Sequence, residues 1–195
     1  MLYKLLIEFV DIYSFLNVFK YLTVRTGLAV FTSMFVVFLI GTPFIKFFSS
    51  QQILDPIRDD GPQEHILKKT NTPTMGGVLI LIGLFSGVIF WADLSSIYIL
   101  FLIFIVASLG LLGAFDDYKK IKFKNSSGVS LKFKIFFQIL IALIGILILM
   151  YFSEHEELNF LYFPFFKNLF INLGLFFIPF GIFVIIGSSN AVNLT

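Results

Sequence analysis

Cysteine is absent from this chain of 195 residues, so disulfides, thiolate metal sites and a cysteine nucleophile are all excluded. A bound metal must then be held by oxygen or imidazole. Charge is scarce as well: Asp, Glu, Lys and Arg make up 13% of the residues, against roughly 25% in soluble domains. The formal net charge of +2 is too small to argue for nucleic acid, and the placement of charge matters more than its sum. No cleaved signal is legible at the start, because Glu8 and Asp11 interrupt the apolar run and no small-residue cleavage site follows. What the chain has in excess is apolar side chain. Hydrophobic residues reach 58%, with 28 Phe, and the mean hydropathy is +0.95. That is the composition of a membrane protein.

The spacing of Leu2, Leu5, Leu6, Phe9, Tyr13 and Leu16, with Lys4, Glu8 and Asp11 on other faces, predicts an amphipathic anchor helix lying in the interface over residues 1–22. Five runs without a charged residue follow, at 26–45, 70–92, 94–115, 135–153 and 168–195. Each is near or above the ~20 residues that cross a bilayer as helix. The expected fold is therefore all-α and polytopic: one membrane domain over 1–195, with transmembrane helices near 26–45, 75–92, 95–114, 135–152 and 169–189. Pro43 is expected to kink or end the first span. The second and third, separated only by Asp93, are expected to form a tight antiparallel pair.

Lysine and arginine set the expected orientation, since positive loops are retained in the cytoplasm. One side carries Lys46, Arg58, Lys68, Lys69, Lys119, Lys120, Lys122, Lys124, Lys132 and Lys134; the other carries Lys4, Lys20, Arg25 and Lys167. The N-terminus is expected outside, with three polar stretches converging on the cytoplasmic face.

The first polar stretch runs from Arg58 through Gly77. Thr72 followed by Pro73 suits the cap and first turn of the second span, leaving free N–H groups and the positive dipole end for an anion. Lys68 or Lys69 would add charge, and Thr74 and the Gly76-Gly77 pair lie beside them. The plainer reading is packing of a capped helix with small residues; His65 alone reads as a solvated loop histidine, and His155, beside Glu154, Glu156 and Glu157, likewise. The second stretch, Gly113-Ala114-Phe115-Asp116-Asp117-Tyr118-Lys119-Lys120, places two carboxylates at the end of an uncharged run. On a helix Asp116 and Asp117 diverge by ~100°, and Lys120 shares a face with either. One acid can serve a metal and the other a proton, or the stretch is only a solvated helix end near headgroups. The third stretch, Ser188 to Thr195, sets Asn190 and Asn193 three residues apart on one face. Their amides suit recognition of a polar ring or sugar, or they simply end the helix.

Taken together, IRDDGPQEHILKKTNTPTMGG (57–77), GAFDDYKK (113–120) and GSSNAVNLT (187–195) resemble the phospho-N-acetylmuramoyl-pentapeptide-transferase family. The likeness extends to LNVFKYLTVRT (16–26) and PFFKNLFINLGLFF (164–177). It implies a Mg²⁺-dependent transferase of the bacterial cytoplasmic membrane. Such an enzyme moves phospho-N-acetylmuramoyl-pentapeptide from its UDP carrier to undecaprenyl phosphate, giving lipid I and UMP, the first membrane step of peptidoglycan synthesis. Carried over, the family's paired acids fall on Asp116 and Asp117, as catalytic and metal-site residues. The nucleotide-contacting lysine falls on Lys69, or on Lys68 if counted from His65, and Asn193 matches the nucleotide-pocket asparagine. The substrate-binding candidates are then His65, Lys68, Lys69, Thr74, Lys120, Asn190 and Asn193. The family's later metal-binding Asp and histidine-rich loop would lie beyond Thr195, and the family has ten spans. The expectation is therefore an N-terminal half, truncated at its C-terminus and inactive alone. A homodimer stays open. A related polyprenyl-phosphate N-acetylhexosamine-1-phosphate transferase is the alternative enzyme. From another class, an ion-coupled transporter or assembly subunit would place its acids at mid-membrane, whereas Asp59, Asp60, Asp116 and Asp117 sit in or beside loops.

Overall fold

The computed structural model describes residues 2–50, 76–123, 128–153, 156–163, 165–166 and 169–191. Its helices are α1 (Leu2–Glu8), α2 (Leu22–Ser50), α3 (Gly76–Trp91), α4 (Ile97–Phe123), α5 (Leu131–Phe152) and α6 (Phe177–Ala191). The charge-free runs become helices because hydrocarbon offers no hydrogen bonds to the backbone, so each segment must satisfy its own. Among the described residues, four helical segments are long and apolar enough to cross a membrane: Leu22–Ser50, Ile97–Phe123, Leu131–Phe152 and Gly174–Ala191. α3 is a shorter apolar helix. Among the described residues the fold is all-α apart from one small hairpin, a polytopic bundle whose apolar side chains mostly face outward, as Phe31, Phe35 and Phe38 do on α2.

Four expectations need correcting. The N-terminal segment is not one helix over 1–22: α1 stops at Glu8, and a 3₁₀ helix covers Ser14–Lys20. The tighter path, with Val10 N–H bonded to Ile7 O and Leu16 N–H to Tyr13 O, tucks Val10 and Leu16 into the protein, where both are buried. Of the two outcomes expected at Pro43, a kink or an end, the end is not found, since α2 runs on to Ser50; one missing N–H removes a single hydrogen bond from a long apolar helix. α3 packs most extensively on α2 rather than on α4. The reason is a notch of small residues. A Cβ at Gly87 would lie 2.6 Å from Ala29 O, and one at Gly83 would strike Val37 and stand 3.2 Å from Ser33 O, so only glycine admits α2 this closely.

The fourth correction concerns the last apolar run. Phe170–Asn172 pairs antiparallel with Phe160–Tyr162, in the register Phe160↔Asn172, Leu161↔Ile171 and Tyr162↔Phe170. Asn172 Oδ1 then accepts the Gly174 N–H at 2.8 Å, and a 3₁₀ turn over Gly174–Phe176 leads into α6. The helix therefore begins several residues later than residue 169, because aromatic and β-branched side chains pair well across strands and the Asn172–Gly174 turn redirects the chain.

α5 is the most buried helix. Gln138, Ala142, Gly145, Ile146 and Leu149 form one stripe at helical spacing, with Gly145 against Phe101 and Ile105 of α4 and Ile146 against Gly181 of α6. Successive contacts fix the directions. Leu79 meets Gly41 while Gly87 meets Ala29, so α2 and α3 are antiparallel; Leu81 meets Gly110 across α3 and α4. Ile146 meets Gly181 while Gln138 meets Asn190, so α5 and α6 are antiparallel as well. The start of α3, the polar end of α4, the start of α5 and the end of α6 thus gather at one end of the bundle.

Candidate functional site

The uncharged part of α4 ends at Phe115. From Ile97 that length is about 28 Å at 1.5 Å per residue, close to the ~30 Å of a hydrocarbon core. Asp116 to Phe123 therefore continue the helix outside the apolar segment. There Lys120 Nζ lies 2.7 Å from Asp116 Oδ2 and 3.4 Å from Asp117 Oδ1, bridging both acids from one turn along. The other Asp116 oxygen, Oδ1, accepts the Val129 backbone N–H at 2.7 Å. Val129 comes from the segment before α5, which turns back over α4 at Gly128. The φ of Gly128 is +58°, and a Cβ there would strike Asp116 Oδ1 and lie 2.8 Å from Lys120 Cε. Glycine is required on both counts.

Burial alone would raise the Asp116 carboxyl, but hydrogen bonds from Lys120 and the Val129 N–H, with the charges of Lys120 and Lys134, outweigh it and hold it below the usual carboxylate value. Burial would likewise lower the Lys120 ammonium; its hydrogen bond and charge interaction with Asp116, and then Asp117, raise it instead. The two acids are consequently unlike. Asp116, with a side chain 14% exposed, has both oxygens engaged by donors, whereas Asp117, at 35%, turns more of its carboxylate outward.

A second polar cluster lies where α5 meets α6. Gln138 Oε1 accepts from Asn190 Nδ2 at 3.0 Å, while Gln138 Nε2 donates to Asn190 Oδ1 and to Ser189 Oγ, each at 3.3 Å. Sequence reasoning missed Gln138, although it is the one polar side chain in the run 135–150 and therefore a signal in itself, since an amide in hydrocarbon needs a partner. Of the sequence candidates, Asp116, Asp117 and Lys120 come together and Asn190 lies at the same end of the bundle. His65, Lys68, Lys69, Thr74 and Asn193 lie outside the described residues, as do Asp59, Asp60, Glu154 and His155.

Against known proteins, the model of glycosyl transferase family 4 matches residues 96–195, a span that includes both polar clusters. The chain belongs to this family. Phospho-N-acetylmuramoyl-pentapeptide-transferase signature 1 also matches, over residues 69–81, a stretch that includes the first residues of α3. Over all 195 residues the chain is 73% identical to a phospho-N-acetylmuramoyl-pentapeptide-transferase of Pelagibacter ubique, 45% to one of Thermodesulfovibrio yellowstonii and 44% to one of Citrifermentans bemidjiense. It covers 54% of each, so the chain spans about half the length of the curated relatives it matches. For this family 4 chain, no group of three or more His, Cys, Asp or Glu stands together among the described residues. A hard cation held at the Asp117 carboxylate would have to take its other oxygen ligands from outside the Asp116–Asp117–Lys120 group, as Mg²⁺ commonly does from water and a bound ligand.

Proposed function

We propose that the protein to which this chain belongs transfers phospho-N-acetylmuramoyl-pentapeptide from UDP-N-acetylmuramoyl-pentapeptide to undecaprenyl phosphate, with Mg²⁺, giving lipid I and UMP. The observation that carries this reading is the Asp116–Asp117–Lys120 cluster, placed just past the apolar part of α4 at the bundle end where α3 begins. The 73% identity to a transferase of that name over the whole chain supports the choice of substrate.

Transfer between diphosphate oxygens asks a protein for positioning and charge neutralisation more than for covalent chemistry. Asp117 would hold Mg²⁺, which when bound would neutralise charge on the phosphates. Asp116, clasped by Lys120 and Val129, orients Lys120 and holds the start of α5 against α4. From its cytoplasmic position the cluster meets a soluble nucleotide sugar on the water side and a lipid phosphate at the membrane edge. Lys69 would contact the nucleotide, with Lys68, His65 and Thr74 close to it in sequence, and Asn190 and Asn193 would take part in binding the nucleotide sugar. The N-terminus faces outward. Residues 1–195, about half the length of their relatives, would need the remainder of the protein for activity.

The test is UMP release by the full-length protein supplied with UDP-N-acetylmuramoyl-pentapeptide, undecaprenyl phosphate and Mg²⁺. Turnover of UDP-N-acetylglucosamine in its place would move the protein to the N-acetylhexosamine branch, and no UMP from either would overturn the reading. Orientation is tested by single cysteines in this cysteine-free stretch. Phe165→Cys, at a position 91% exposed, should react with an impermeant reagent added to intact cells, whereas Ser50→Cys should not.

A further inference from the structure

Gln138 is 3% exposed on a helix otherwise apolar from Ile135 to Met150, and its hydrogen bonds decide which atoms of its partner Asn190 stay free. The anchor is Ile186 O, which can only accept: it receives Asn190 Nδ2 and Ser189 Oγ, each at 3.0 Å. Asn190 therefore turns its nitrogen inward, and the second hydrogen of that nitrogen goes to Gln138 Oε1 at 3.0 Å. Gln138 Nε2 then has two acceptors, Asn190 Oδ1 and Ser189 Oγ, at 3.3 Å each. Every amide hydrogen of the pair is used, and Asn190, half-buried at the end of α6, keeps only a lone pair on Oδ1 for a ligand. We propose that Gln138 is a positioning residue. By occupying the Asn190 nitrogen, it makes Asn190 a hydrogen-bond acceptor only, matched to an N–H or O–H donor of the nucleotide sugar and closed to an acceptor at that position.

The inference rests on the function proposed above, and the experiment separates the two. In the full-length enzyme, Gln138→Met removes the amide at similar length and leaves one Asn190 Nδ2 hydrogen unpaired and open to a ligand, while Ile186 O still holds the other. The KM for UDP-N-acetylmuramoyl-pentapeptide should rise about tenfold, with kcat within about threefold, as expected when binding common to ground and transition states is lost. Gln138→Glu, neutral in this apolar site, keeps an oxygen facing Asn190 Nδ2 and an O–H facing Asn190 Oδ1, so its KM should stay within about threefold of wild type. Should the methionine variant fail to accumulate in membranes, Gln138→Ala gives the same reading. Lowered thermal stability in these variants with KM unchanged would mean that Gln138 only joins α5 to α6, overturning the proposal and leaving the function intact. A wild-type enzyme that releases no UMP would overturn the function, and the proposal with it.

Discussion

The two ends of the bundle each hold a Lys–Asp pair, and the pairs differ in nearly everything except residue type. At the proposed active end, Lys120 meets Asp116 at 2.7 Å with side chains 22% and 14% exposed, and a backbone N–H locks the second carboxylate oxygen. At the other end, Lys4 meets Asp93 at 3.4 Å with side chains 51% and 46% exposed. Lys4 also bonds Ser95 Oγ, while Asp93 accepts the Ser95 N–H. The Asp93 carboxyl lies below its ordinary value first because of that Ser95 hydrogen bond, against slight burial, with Lys4 and Arg25 adding to the lowering. An exposed pair of this kind contributes roughly 0–1 kcal/mol, whereas removing one partner of a buried pair leaves an uncompensated charge. Burial, then, and not the pairing of a lysine with an aspartate, distinguishes the proposed active end from the end that ties a loop to the N-terminal segment.

Substitution at both ends tests that contrast. In the full-length enzyme, Asp117→Asn should lower kcat by about a hundredfold or more, the loss expected when a carboxylate serving charge stabilisation is removed. Asp93→Asn should leave kcat within about twofold. Comparable losses from the two would erase the distinction between the ends. Gly128→Ala comes next in size. It should destabilise the protein by about 1–3 kcal/mol, from positive-φ strain and the contact with Lys120, measured as a lowered Tm in detergent. The same change at Gly174, where φ is +49° but nothing lies within 4 Å of a Cβ, should cost only the backbone strain.

These contrasts were unequally legible in the chain. The uncharged runs announced the helices, and a Lys four residues after an Asp announced the pairing of Asp116 with Lys120, because both follow from local spacing. The clasp of Val129 on Asp116 was not legible, since it depends on Gly128 folding the chain back onto α4. Gln138 was visible as a lone amide, but its partner lies 52 residues away. The hairpin was hidden because Phe170 and Ile171 read equally well as apolar helix or strand, and only pairing with Phe160–Tyr162 decides between them.

Acidity gives a smaller effect. Because the Asp116 carboxyl is lowered in the folded protein, its contribution to stability is full above the unfolded value of about 3.9 and is lost as pH falls through the folded value. The difference in Tm between wild type and Asp116→Asn should thus be constant from about pH 5 to 8 and shrink below about pH 4. A difference already shrinking at neutral pH would mean that the pair is not held as described. Smallest of all is Lys4→Ala, expected to change stability by about 0.5 kcal/mol or less. A large loss there would show the N-terminal segment holding the bundle together instead of resting on it.

Trp91 is the one tryptophan of these 195 residues, and it stands at the end away from Asp116. Its indole N–H donates to Thr32 Oγ1 at 2.9 Å, and its ring stacks on Phe19 with centroids 5.8 Å apart. Its emission is therefore an optical gauge of the joint between α2, α3 and the N-terminal segment. A nucleotide bound at the opposite end should leave that light unchanged if the helices stand as independent posts, and should shift it if the bundle moves as one body.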